Sequence, residues 1–267
     1  MKRKILYRLF TVVASIAIFI IIGFIAIMVP ANSKAFYRWQ FDKHNTLEWV
    51  QSQGDRLYDE NSPDYDPYTA EYVCCMNEQQ LEELMLHVVR YCMWLEDDMN
   101  VTVDGHYLKI FREDERAHMR DVRNVFGVGT ILTIISVLIC IAFLFFLLNR
   151  PKAYYETSRK VPFITLGILF AIFVAIALYV VIDFKYVFEV VFHNMFFDGN
   201  FAFSSGVMIS MIGEIFPDLV MLIGISWIVM MALPVLVFVF YNKRLAKKIA
   251  LQVKNEDKNN QSTEEKQ

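Results

Sequence analysis

Four uninterrupted apolar stretches, at residues 9–29, 126–148, 161–182 and 219–241, govern what this chain can fold into. Each is close to the roughly 20 helical residues that cross a ~30 Å hydrocarbon layer. None of them contains a charged side chain, so none advertises an ion path or proton relay inside the bilayer. Helices satisfy their backbone hydrogen bonds internally, and the expected fold is therefore a membrane all-α bundle of four transmembrane helices. Composition agrees. Of 267 residues, 56% are hydrophobic, 15% aromatic and 21% charged, an excess of apolar surface that a soluble domain would not carry. Pro162 falls in the first turn of the third stretch, where its missing N–H costs little, whereas Pro234 interrupts the fourth and is expected to kink it.

Charge sorts the connecting segments into two groups. Residues 1–8 carry four basic side chains and no acidic one; residues 149–160 carry four against one; residues 242–267 carry seven against four. By contrast, residues 31–121 hold 19 acidic and 9 basic side chains, and 183–218 hold five and one. Lys and Arg concentrate on the cytoplasmic side, so both termini are expected inside and the two acidic segments outside, in a multi-pass membrane protein. The resulting layout is a cytoplasmic N-terminus and first span at 1–30, an extracytoplasmic cap at 31–121, and the second and third spans with a basic cytoplasmic loop at 122–182. An extracytoplasmic interfacial segment at 183–218, the fourth span at 219–241 and a cytoplasmic tail at 242–267 complete it. The first apolar run, 21 residues long, exceeds the 7 to 15 of a signal-peptide core, so an uncleaved anchor is expected. Net charge of −3 and a pI near 6.0 argue against nucleic acid as a partner.

The acidic segment 31–121 is long enough for a small α+β cap. From Leu81, the residues Leu84, Met85, Val88, Cys92 and Leu95 recur at helical spacing, with Asn77 a suitable N-cap. Residues 101–110 alternate about Asp104-Gly105 and read as a hairpin with a type I′ turn. Pro63, Asp64 and Pro67 mark an irregular stretch before both. A charged helix from Arg112 runs towards the second span, and the polar tail from Lys254 is expected to be disordered. Cys74, Cys75 and Cys92 lie in the cap; a bridge from Cys92 to Cys74 or Cys75 and three free thiols are both compatible with the spacing.

Phosphate-binding loops, the G-x-S-x-G nucleophile elbow and the HExxH zinc helix are all absent, which leaves histidine. All five, His44, His87, His106, His118 and His193, fall in the outer segments. Helix rise puts His118 about 10 Å above the hydrocarbon boundary, at headgroup level. His193 follows the third span in a strongly apolar run; a break at 183–185 would turn that run back along the interface, to the same depth. Asp121, three residues after His118, can hold one ring nitrogen, although both also suit the surface of a solvated helix. His193 is equally compatible with an aromatic packing cluster, and a zinc site lacks any tight histidine pair such as H-x-x-x-H. Phe192, Phe196, Phe197, Phe201 and Phe203 are too aromatic for a water-facing loop and suit acyl chains or an interfacial belt, or packing against the spans.

The strings HMRDV from His118, FHNMFF from Phe192 and EIFP from Glu214, in this order relative to four spans, resemble the lipoprotein intramolecular transacylase family, called Lit. The resemblance covers most of residues 70–240. It implies transfer of an acyl chain, within one diacylglyceryl-modified lipoprotein, from the sn-2 ester of the S-diacylglyceryl cysteine to its α-amino group, giving the lyso-form. It places the two functional histidines on His118 and His193. Where the family commonly has Trp-x-Phe, this sequence has Phe201-Ala-Phe203, which keeps apolar surface without an indole N–H. Amine attack on an ester within one molecule needs positioning, a proton acceptor and oxyanion stabilisation but no protein nucleophile, cofactor or metal. His193 is assigned as general base and His118, oriented by Asp121, as oxyanion donor, in roles that can be exchanged. The partners implied are the lipoprotein substrate and membrane lipid, and the location implied is a bacterial cell membrane. The alternative, from another class, is a non-catalytic membrane sensor or assembly factor binding lipid or peptide through its cap.

The charge asymmetry yields the first prediction. A reporter fused after Tyr241 is expected to read cytoplasmic, and extracytoplasmic activity of that fusion would overturn the orientation.

Overall fold

A computed structural model of the protein describes residues 2–58, 65–196 and 206–264; for residues 188, 189, 193, 196 and 256–264 the description is limited to the backbone. Four of the described helices are long and apolar enough to cross a membrane: α1 (Lys2–Ala31), α6 (Glu113–Asn149), α8 (Val161–Ile182) and α11 (Phe216–Glu264). The shorter elements between them are α2 (Lys34–His44), α3 (Thr46–Ser52), α4 (Pro67–Cys74), α5 (Glu78–Cys92), β1 (Val101–Val103), β2 (His106–Leu108), α7 (Pro151–Ser158), α9 (His193–Phe196) and α10 (Val207–Ile212). The chain divides into two compact units. One is Met1–Phe24, Leu132–Ile176 and Ser226–Gln267; the other is Ile25–Ile131 and Ala177–Ile225.

In the first unit the spans pack through aromatic side chains. Phe143 lies 5.6 Å from Phe10 and 6.3 Å from Tyr154 between ring centroids, both edge-on, the geometry that ring quadrupoles favour. Trp227 takes Phe19 at 4.8 Å and Phe173 at 4.2 Å, and Gly23 lets α1 approach that indole, because a Cβ there would sit 2.8 Å from the ring. Thr11 and Ser15 return their hydroxyls to carbonyls one turn back, at 2.8 Å each, so neither carries an unpaired hydroxyl into hydrocarbon. On α8 the exposed side chains Ile164, Ile168, Ile172 and Ile176 recur every four residues and form a lipid-facing stripe. Pro234 does not end α11, and the tail expected to be disordered continues this helix to Glu264. The basic connection 149–160 is itself helical as α7, with Pro151 at its first position and Tyr154 wholly buried.

The second unit holds α2 to α5 and the β1–β2 hairpin. Asn77 caps α5 as expected, and does so in a reciprocal capping box with Gln80. Asp104 and Gly105 both take positive φ, 49° and 79°, as a type I′ turn requires, and pair Val101 with Leu108. The helix of α5 stops at Cys92, short of Leu95. Trp94 adopts φ 64°, the Leu95 N–H donates to the Arg90 carbonyl, and Leu95 is left 65% exposed, a left-handed termination of the Schellman kind. Residues 34–58 and 67–74, in which the sequence suggested no regular elements, are helical. Ser33 and Asp66 cap α2 and α4, and Pro67 opens α4. Pro63 and Asp64 lie outside the described residues. Arg38 of α2 donates to both oxygens of the buried Glu82 of α5, at 2.7 and 3.1 Å, giving that carboxylate a forked partner.

All four cysteines are free thiols, so the bridge from Cys92 to Cys74 or Cys75 is not formed. Burial pushes the Cys92 thiol up to about 12, whereas Cys75 is exposed. Thiol titration of the unreduced, denatured protein is therefore expected to count four, and in the folded protein Cys75 should be alkylated first and Cys92 last. A count of two would show a bridge.

Candidate active site

The site is built at the head of α6, ahead of the apolar segment 126–148. Glu113, Asp114 and Glu115 occupy its first turn, where negative charge suits the unsatisfied N–H groups of a helix N-terminus. Arg112 closes on Asp114, and its hydrogen bond holds that carboxyl below the usual carboxylate range. Glu115 differs from both neighbours because it is wholly buried. Its oxygens accept from the Arg112 N–H and the Met208 N–H, each at 2.9 Å. Burial raises its pKa above the ordinary value, against the pull of those two hydrogen bonds.

Gly206 completes this contact. It has φ 130°, a region closed to most L-residues, and a Cβ on it would collide with the Glu115 carboxylate. The Gly206 N–H donates to Gln53 Oε1 at 3.2 Å. Sequence reasoning overlooked Glu115, Gly206 and Gln53. The Glu115 carboxylate and the Met208 amide are 93 residues apart, and Gln53 and Gly206 are 153 apart, so periodicity carries no trace of them.

Three contacts tie the described parts of segment 183–218 to the rest of the second unit: Gly206 is held by Gln53, Met208 by Glu115, and Asp218 is ion-paired with Lys43. A fourth joins the two ends of the segment, where the Phe184 and Phe216 rings lie 6.3 Å apart. Asp183 interrupts the helix as expected and accepts from the Tyr186 N–H at 3.0 Å. The chain then winds as a π-helix over Tyr186–Phe192 and enters α9 at His193.

His118 lies three residues after Glu115 on α6, with Asp121 three residues further along, so the three share one side of the helix; both His118 and Asp121 are half-buried. His193 lies on α9 in the same compact unit as His118. Phe192 ends the π-helical segment, 38% exposed; Phe196 is placed by its backbone on α9; and Phe197, Phe201 and Phe203 lie outside the described residues. The remaining histidines have other partners. His44 Nε2 is 3.8 Å from the Asp218 carboxylate. His87 bonds the Asp98 carbonyl at 2.9 Å, and His106 stacks on Tyr68 at 4.8 Å. Among the described residues no three His, Cys, Asp or Glu side chains converge as a metal ligand set.

The sequence matches the family model of the lipoprotein intramolecular transacylase Lit over residues 11–216. The chain belongs to that family. The Lit match runs from the first span to the head of the fourth and includes His118, His193, Glu115 and Gly206. Similar solved structures are those of the membrane-integral lipoprotein intramolecular transacylase Lit from Bacillus cereus. One shares 18% identity at a TM-score of 0.62 over 92% of this chain and 98% of that one. Two variant forms, with a histidine replaced by arginine or by alanine, give 0.60 and 0.61, again at 18% identity, over 92% of this chain and 95% and 96% of theirs. This likeness to Bacillus cereus Lit is one of fold. No curated protein matches the sequence.

The raised pKa of Glu115 has a pH signature. A group whose folded pKa exceeds its unfolded one stabilises fully below the unfolded value, and that stability is lost as pH rises through the folded value. The melting midpoint in detergent should therefore fall with rising pH above about 4.3, the unperturbed glutamate value. Glu115→Gln should flatten that component relative to wild type, and an unchanged slope would show that Glu115 is ionised in the folded protein.

Proposed function

We propose that this Lit family member moves an acyl chain within one diacylglyceryl lipoprotein, from the sn-2 ester oxygen to the α-amino nitrogen of the same cysteine. The family match over residues 11–216 carries the reading. The reaction balances without another reactant. The amine attacks the ester carbonyl, the N–C bond forms, the C–O bond of the glyceryl ester breaks, and the proton lost by nitrogen ends on the freed glyceryl hydroxyl. The products are an N-acyl cysteine and a lyso-glyceryl thioether on one polypeptide.

In this proposal His193 accepts the amine proton and returns it to the leaving oxygen, while His118 donates to the oxyanion and Asp121 orients its ring. One observation supports the pair: the Glu115 contacts tie the chain fifteen residues after His193 to the turn of α6 that precedes His118. The proposed shared site requires the two imidazoles within roughly 10 Å, so that both reach one tetrahedral carbon. Phe192, Phe196, Phe197, Phe201 and Phe203 would supply the apolar wall for the acyl chains. Charge asymmetry supports an extracytoplasmic site, a cap over 31–121 and cytoplasmic termini.

Mass spectrometry of a diacylglyceryl lipoprotein incubated with purified protein tests this reading. Conversion to the lyso-form should need no acyl donor or nucleotide and should survive EDTA. His118→Ala and His193→Ala should each slow it by about 10² to 10⁴ with folded yield preserved, while His44→Ala and His106→Ala should remain near wild type. Full conversion by both of the first two variants would refute the assigned mechanism, and no conversion by wild type with several lipoproteins would favour the sensor alternative.

A further inference from the structure

At the basic end of the first unit, a cavity of about 510 Å³ opens between the α6–α7 junction and α11, within the size range of small-molecule sites. Arg150, Lys152 and Lys248 line it, opposed by the single carboxylate of Glu156. Among the described residues none of these four forms an ion pair. Three cations lining one cavity repel each other, and an anion seated among them would relieve that repulsion.

The rest of the lining identifies the kind of anion. Leu245, only 7% exposed, together with Ile249 and Pro151 gives the cavity an apolar wall. A freely diffusing phosphate would leave that wall bare. Asn149 is the last residue of α6, Pro151 is the first of α7, and Leu245 lies four residues beyond the apolar segment 219–241. The cavity therefore stands where hydrocarbon gives way to headgroups. The first turn of α7 also lines it, and Arg150, the residue before that turn, supplies no side-chain cap, leaving the N-terminal N–H groups of α7 with the polarity that favours an anion.

We propose that this cavity is a binding site for one anionic glycerophospholipid of the leaflet on the basic side of the bundle. Its phosphodiester is held by Arg150, Lys152 and Lys248, and its acyl chains start along Leu245 and Ile249. Arg150 presents a forked set of donors suited to phosphate oxygens, and Glu156 with Gln252 is placed to accept from headgroup hydroxyls. The proposal rests on the membrane reading of the four spans and is independent of the transacylase chemistry.

Native mass spectrometry of the detergent-solubilised protein, titrated with phosphatidylglycerol or phosphatidylcholine, tests it. A basic side chain at an anionic lipid surface contributes on the order of five-fold, so three of them against one carboxylate should favour phosphatidylglycerol by at least about ten-fold. The Arg150→Gln, Lys152→Gln, Lys248→Gln triple variant should lose that preference, and the charge-retaining Lys152→Arg, Lys248→Arg variant should keep it. Both variants should still convert lipoprotein, because the cavity lies outside the proposed catalytic machinery. Equal retention of the two lipids by wild type, or an unchanged preference in the triple variant, overturns the proposal. Displacement of phosphatidylglycerol by millimolar inorganic phosphate would assign the site to the free anion and overturn the lipid reading.

Discussion

The Glu115 carboxyl, wholly excluded from water, accepts from the Arg112 and Met208 amides and packs against Gly206, and much of the second unit depends on this contact. A buried carboxyl without partners would be costly, and here two backbone N–H groups offset much of that cost. Because both donors are main-chain atoms, the contact constrains the path of the chain. It holds the start of α10 against the head of α6, and Gln53 extends the connection to the end of α3 through the Gly206 amide. The segment that bears His193 is thus held, fifteen residues further on, against the helix that carries His118. Oxygen acceptors fixed in this way leave no freedom for a side chain at residue 206.

Local physics made several elements legible in the sequence. The third span has the boundaries expected, 161–182, because unbroken hydropathy and the charges beyond it mark both ends. The Asp104-Gly105 hairpin and the Asn77 cap of α5 depend on residues within a few positions of each other, so dipeptide and capping preferences suffice. Other features depend on distant partners. Within the charged string that begins α6, Glu115 looks no different from Glu113, which is exposed; only Met208, far along the chain, makes it a core residue. Leu95 fits the apolar period of α5 but follows the left-handed turn at Trp94, whose indole donates to the Arg123 carbonyl at 3.0 Å. That side chain anchors the turn to α6, an interaction invisible to periodicity.

The histidines show the same division. Helix-rise arithmetic singled out His118 and His193 from the sequence, and the structure gives a neighbour for each of the other three. His44 sits beside the Lys43–Asp218 ion pair that holds the start of α11 to the end of α2. His87 links α5 to the Asp98 carbonyl, and His106 covers Tyr68 on the hairpin side of α4.

The π-helical segment Tyr186–Phe192 accommodates more residues per turn than an α-helix and runs directly into His193. Removing one residue from it would shorten the chain by less than about 1.5 Å, yet would swing the bearing of everything that follows by roughly 80–100°. Insertions and deletions are usually tolerated in connecting segments because they change length, and length is cheap. Here they would change azimuth. In evolutionary terms, the stretch between the third span and His193 should behave as a gear of fixed tooth number, free to vary in side chains but not in residue count.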